Sequence, residues 1–264
     1  MDMDEHRISI PQQDQCADHQ ASVRGEQSGA VAYRHAAVKG TAAVWRAVKP
    51  QDWPDNQHVV GFSRYRGLEK ESLPDELAQF VGKAKSGGKM LVYVGLGSML
   101  GVAFDSEEKA RETLEVVRNG IIDCLNACDF YAIIHCNDKV FVESTDKILV
   151  LKKPVSHDLL FPDCSVVVNH GGAGTVQTSL CYGCPCIVFP CVVASDQPFW
   201  ADVVERSGLG YNGGVISKIT RGKVKNILDK ASANLKSLRE NAKVLAEKMS
   251  TDSPAEIVLQ FFKQ

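Results

Sequence analysis

The stretch VVVNHGGAGTVQTSLCYGCPCIVFP, Val166 to Pro190, decides the fold. A β-branched apolar run leads without a break into His170, Gly171, Gly172, Ala173, Gly174 and Thr175; a helical pattern then opens, and a second apolar run follows at CIVFP. Parallel strands buried on both faces read as continuous apolar runs, so this order predicts a parallel β-α-β unit. In an open parallel sheet the ligand crevice lies at the carboxyl ends of the strands, which is where the loop beginning at His170 falls. Glycines there let the backbone approach a ligand closely. The first helical turn leaves N–H groups unpaired, and with the helix dipole it favours an anion such as a diphosphate, the dipole contributing about 0.3–2 kcal/mol. Thr175 adds a hydroxyl and His170 a ring N–H. Glycines at such a place serve equally as a plain tight turn, with the histidine a satisfied core residue. The surrounding sequence has to decide between the two.

Upstream, MLVYVGL (Met90 to Leu96) is another buried strand, followed by GLGSM and an amphipathic helix from after Asp105 to near Cys128. Further strands are predicted at Phe130 to Cys136 and Lys147 to Lys152, and Ser165 to His170 and Cys186 to Pro190 carry the central unit. Helices follow His170 and Asp196, and three more fit Arg221 to Ala233, Leu235 to Met249 and Pro254 to Phe262. Before the first long strand, ESLPDELAQFVGKA is helical, with Leu77, Phe80 and Val81 on one face, and HVVGF is a short β-prone run. Alternating strands and helices predict an α/β, Rossmann-like parallel sheet flanked by helices. Residues 1–50 are polar and without sustained period, and read as a poorly ordered leader, with the folded unit spanning 51–264.

Composition narrows the function. With 264 residues and 44% hydrophobic content, the chain can bury a sizeable core. A net charge of -2 offers no broad basic field for nucleic acid. No apolar run reaches the roughly 20 residues of a membrane span, and the amino terminus has no signal-peptide pattern, so the chain reads as cytoplasmic. Cys181, Cys184, Cys186 and Cys191 are dense enough to suggest zinc. Their split between a helix and an apolar strand suits buried reduced thiols better than one tetrahedral site.

Three other segments also follow strands and converge on the same rim: GLGSM (Gly95 to Met99), PVSHDLLFP (Pro154 to Pro162) and SDQPFW (Ser195 to Trp200). These motifs, with HGGAGT and the G-x-P of Gly183 to Pro185, occur in the order and approximate spacing of the donor-binding, carboxyl-terminal half of family 1 GT-B glycosyltransferases. Over about residues 50 to 264 the sequence is most similar to the sterol 3-beta-glucosyltransferases. The resemblance implies a single GT-B carboxyl-terminal half that binds UDP-glucose or a related UDP-hexose as substrate, without a cofactor or metal. It further implies inverting transfer of the hexose to a sterol or other lipid hydroxyl. On that likeness Ser98, His170, Gly172, Gly174 and Thr175 contact the donor diphosphate. Val155, His157, Asp158 and Thr178 serve uracil and ribose, and Asp196, Gln197 and Trp200 serve the sugar.

The sequence departs from the family's pattern in ways that bear on activity. The likeness places the histidine base on an amino-terminal acceptor-binding half, and His6, His19, His35 and His58 follow no strand-glycine loop that would position one, so no catalytic base is expected on this chain. An acceptor-binding partner chain is expected instead, with membrane contact at most through that partner or a lipid acceptor. Thr178 stands where plant-type relatives carry a ribose-binding glutamate, as sterol-type members do with a small residue. The run CVVAS before Asp196 is longer than the family's usual segment. Two other functions compete with the half-enzyme: a non-catalytic UDP-sugar-binding module or truncated transferase, and a sugar-nucleotide epimerase of the same architecture.

Overall fold

The computed structural model of the chain describes residues 61–62, 72–96, 106–127, 129–135, 143–251 and 254–261. The expected leader, the start of the folded unit at 51, most of HVVGF, the upstream histidines and Ser98 lie outside these residues.

The described chain begins with α1 (Asp75–Ser86) and β1 (Met90–Gly95), then α2 (Glu107–Ala127) and β2 (Phe130–His135). After β3 (Ile148–Leu151) come a single-turn α3 (His157–Leu160), β4 (Val166–Asn169) and α4 (Ala173–Cys181). The carboxyl-terminal part holds β5 (Cys186–Val188), α5 (Gln197–Arg206), β6 (Gly210–Asn212), α6 (Arg221–Ala233), α7 (Leu235–Thr251) and α8 (Pro254–Phe261). The strands form one six-stranded sheet in the order β3-β2-β1-β4-β5-β6, and every strand pair is parallel. The expected α/β sheet is therefore present. Strand order reverses between β1 and β4, where the chain leaves β1 for one side of the sheet and later returns to build the other.

Period-two alternation sorts each strand's side chains between two faces. Val92, Val94, Ala132, Ile134, Val166 and Val168 pack with Val117 and Ile121 of α2 and Val224 and Leu228 of α6. Leu91, Tyr93, Ile133 and Val167 face the other way, onto Leu77, Phe80, Val81 and Ala84 of α1 and onto Leu160 and Phe161. Beside that cluster, α4, α5 and α7 cover β5 through Val176, Leu180, Val204, Ala242 and Leu245. Full burial of a side chain such as Val or Leu contributes about 1.5–3 kcal/mol, so these layers and not the loops hold the sheet together.

Local signals agree with the elements. Asp75 and Glu76 sit in the first turn of α1, and Lys83 and Lys85 in its last, matching the helix dipole. The Thr220 side chain caps α6 by accepting from the Lys223 N–H. Helices α2 and α6 cross at Gly120, where a Cβ would come within 2.5 Å of Val224.

Two elements were not expected from the sequence. Strand β6 is only GYN, with no β-branched residue, and exists because it pairs with β5, Cys186 against Gly210 and Val188 against Asn212. The other is α3, four residues inside the PVSHDLLFP loop.

Candidate nucleotide-sugar site

Register carries the chain from the fold to the site. Gly95, the last residue of β1, pairs with Asn169, the last residue of β4, so the two strands end side by side at the strand-order reversal. Open α/β sheets bind ligands at this switch point.

Asn169 begins the turn. Its Oδ1 accepts from the Gly171 N–H at 2.8 Å, an i to i+2 contact typical of asparagine before a turn. Gly171 then adopts φ +90°, and a Cβ there would lie 2.8 Å from Val188 and 2.9 Å from the Gln197 carbonyl oxygen. The turn is thus pressed against the start of α5. Next, Gly172 is the N-cap of α4 and provides no side-chain cap. The first N–H groups of that helix therefore have no side-chain acceptor.

The His170 ring lies over this helix end, since a Cβ on Gly172 would come within 2.6 Å of its Nε2. Its Nδ1 is buried without a hydrogen-bond partner among the described residues. A buried N–H with no acceptor costs more than a buried bare nitrogen, which assigns the proton to Nε2 above the helix terminus. Burial also pushes the imidazole below its ordinary 6.5, partly opposed by the Asp196 carboxylate, so at neutral pH His170 is an uncharged N–H donor. Gly174 and Thr175 occupy the first turn of α4. Thr178 is half-buried three residues past Thr175, the spacing that puts two side chains on one helix face.

The loop after β5 reaches the same place. Asp196 is the N-cap residue of α5, and its Oδ2 accepts from the Trp200 indole N–H at 3.0 Å. Trp200 is 7% exposed and packs in the cluster with Val176, Leu180 and Val204. Gln197 is 3% exposed, and its Oε1 accepts from the backbone N–H groups of Cys191, at 2.7 Å, and Val192, at 2.9 Å. Gln197 thus holds together the CVVAS segment.

The PVSHDLLFP loop follows β3, two strands from the reversal. Its Val155, His157 and Asp158 are half-buried. The His157 Nε2 lies 3.2 Å from the Tyr93 hydroxyl, and Asp158 accepts from the Tyr182 hydroxyl at 2.9 Å. The structure thus brings His170, Gly171 and Gly172 together with Asp196 and Gln197. The side-chain contacts of His157 run instead to Tyr93 of β1 and to Phe161.

Sequence reasoning missed three residues. Asn169, fully buried, sets the turn, and its signal was an asparagine two positions before a glycine. Tyr93 and His135 meet across β1 and β2, their signal being single polar tips near the ends of otherwise apolar strands. Among the described residues no group of three or more His, Cys, Asp or Glu side chains is placed to hold a metal. Cys184, Cys186 and Cys191 are buried and Cys181 is half-buried.

The sheet order and crevice define one half of a GT-B glycosyltransferase fold. Solved structures agree: the glycosyltransferase SnogD from Streptomyces nogalater, with TM-score 0.53 and 21% identity, is matched over 83% of this chain and 52% of that one. The glycosyltransferase VinC in complex with DTDP matches with TM-score 0.56 and 18% identity over 80% of this chain and 49% of its own.

Within that class the chain belongs to the family of the erythromycin biosynthesis protein CIII-like, C-terminal domain, whose model matches residues 121–263. Sterol 3-beta-glucosyltransferases are similar over most of its length. The protein from Leptosphaeria maculans is 29% identical over 80% of this chain and 14% of the relative. Those from Arabidopsis thaliana (UGT80A2) and Saccharomyces cerevisiae are 28% and 31% identical over 81% and 78% of this chain. The chain spans only 14–31% of these three relatives. No helix among the described residues is long and apolar enough to cross a membrane.

Proposed function

We propose that residues 51–264 are the donor-binding half of an inverting hexosyltransferase that uses a UDP-sugar, UDP-glucose first among them, and a sterol or other lipid alcohol as acceptor. The observation that carries this reading is the His170 ring, its Nε2–H held over the uncapped amino end of α4 at the strand-order reversal. Such a corner favours a diphosphate. The similarity to sterol 3-beta-glucosyltransferases supports the acceptor class.

In the reaction, an acceptor hydroxyl oxygen attacks the anomeric carbon as the bond to the diphosphate oxygen breaks. UDP leaves with the electron pair, and the hydroxyl proton passes to a base on an acceptor-binding half. This chain's share is electrostatic. Fixed donors at His170, Gly172, Gly174 and Thr175 meet the charge that grows on the leaving group, and Ser98, three residues past the end of β1 in the sequence, adds a hydroxyl. Val155, with His157 and Asp158, frames the uracil, and Thr178 lies toward the ribose. Asp196 offers its remaining carboxylate oxygen to sugar hydroxyls, while Gln197 and Trp200 keep Asp196 and its loop in place. Charge is met by N–H groups throughout, so no metal is required.

The test is calorimetry of the 264-residue chain with UDP and UDP-glucose, with and without chelator, followed by mass spectrometry for a glycosylated sterol. Binding indifferent to chelator is expected. Product is expected only after a separately expressed acceptor-binding half is added, because a general base contributes about 10²- to 10⁴-fold. Efficient transfer by the chain alone would overturn the division of labour, and chelator-abolished binding would overturn the metal-free site.

A further inference from the structure

Tyr93 and His135 lie beside the proposed site but have no part in the reading so far. Tyr93 is 2% exposed, and its hydroxyl lies 3.2 Å from Nδ1 of His135 and 3.2 Å from Nε2 of His157. A phenol has one proton to give, so it donates to one ring nitrogen while the other ring donates an N–H to the phenol oxygen. The three groups form a relay, centred on the Tyr93 hydroxyl, that joins β1, β2 and the first residue of α3. Burial pushes both imidazoles below their ordinary range, which keeps the relay uncharged at neutral pH.

The geometry is specific to this arrangement. His135 ends β2 between Gly95 of β1 and Leu151 of β3, at the carboxyl edge of the sheet. Gly95 has no side chain, and a Cβ there would come within 2.5 Å of the Tyr93 hydroxyl. That glycine leaves the phenol room to reach both rings. The His157 ring is also stacked on Phe161, with centroids 4.4 Å apart and planes 13° apart. The edge of Tyr93 meets both rings. His157 is therefore held in position and orientation, two residues beyond Val155.

We propose that Tyr93 and His135 are positioning residues for nucleobase recognition: through His157 they fix the backbone at Val155 and Ser156 in the conformation that reads a pyrimidine. The inference rests on the nucleotide-sugar reading of the site. A loop fixed before binding loses little further freedom when the base arrives, so the relay acts on affinity for the base and leaves the diphosphate corner alone.

The experiment measures dissociation constants for UDP and inorganic pyrophosphate with the parent chain, Tyr93→Phe and His135→Gln, with a melting curve for each. Losing one hydrogen bond is expected to weaken UDP by about 3- to 10-fold, while pyrophosphate stays within about twofold of the parent. A buried structural residue with no bearing on the base would weaken both ligands alike, and that result, or no change in either, overturns the inference. If Tyr93→Phe fails to fold, His135→Gln gives the same comparison without altering the buried phenol. A parent that binds pyrophosphate but not UDP overturns the nucleotide reading together with this inference, whereas a parent that binds UDP while both variants lose both ligands equally overturns this inference alone.

Discussion

On the proposed reading, the loops after β4 and β3 answer the same demand, a backbone held open to a ligand, in opposite ways. After β4, α4 begins without a side-chain cap and the His170 Nε2 lies over its amino end. After β3, His157 and Asp158 are already tied to Tyr93 and Tyr182. On that reading, the uncapped N–H groups of α4 and the His170 Nε2–H are where a ligand supplies an acceptor. Satisfied polar groups mark where the protein fixes its own geometry and offers mainly shape and backbone.

The contrast can be broken most severely at Gly171. Its φ of +90° and the nearness of Val188 and Gln197 leave no room for a side chain. Gly171→Ala is expected to cost about 1–3 kcal/mol in backbone strain and a similar amount in overpacking. Chemical denaturation should show both stability and UDP binding lost together.

His170→Ala should separate them. A hydrogen bond to a charged group contributes about 1.5–3 kcal/mol, so UDP affinity should fall roughly 10- to 150-fold while the melting temperature stays near the parent's. Unchanged affinity would make His170 a structural histidine and move the diphosphate elsewhere.

Gln197→Leu tests whether the loop before α5 belongs with the satisfied kind. It strands the Cys191 and Val192 N–H groups that Gln197 now serves. The expected loss of stability is about 1–3 kcal/mol, read by denaturant titration. UDP-glucose should then lose more affinity than UDP, because the displaced loop carries Asp196.

The gentlest perturbation is pH. Burial holds His135, His157 and His170 below 6.5, so below that pH the unfolded chain binds protons that the folded one refuses. Stability should be fully present above about pH 6.5 and fall as the pH drops toward the folded values. A melting temperature flat from neutral to mildly acidic pH would show that these rings are not held neutral by the fold.

The sequence made the two loop types legible to different degrees. His170 and the glycines beside it were readable because a strand, a turn and a helix lie contiguously between Val166 and Cys181. Five of the six strands were visible as apolar runs, whereas β6 has its identity only from the neighbour it pairs with. The Tyr93 contact joins residues 42 positions from His135 and 64 from His157, and no local pattern announces such a meeting. The internal duty of Gln197 was hidden for another reason: the amide that resembles a sugar-binding residue spends its oxygen on the segment just before it.

The reversal of strand order also divides what evolution can alter separately. On the proposed reading, β3, β2 and β1 carry the grip on the base and, through Ser98, one diphosphate contact, while β4, β5 and β6 carry the rest of the diphosphate corner and the loop toward the sugar. The two triplets touch along the single seam where β1 pairs with β4. Drift on one side can change which nucleotide is accepted without disturbing which sugar is held. A chimaera joined at that seam, with 72–165 from one relative and 166–251 from another, would inherit its base preference from the first parent and its sugar preference from the second.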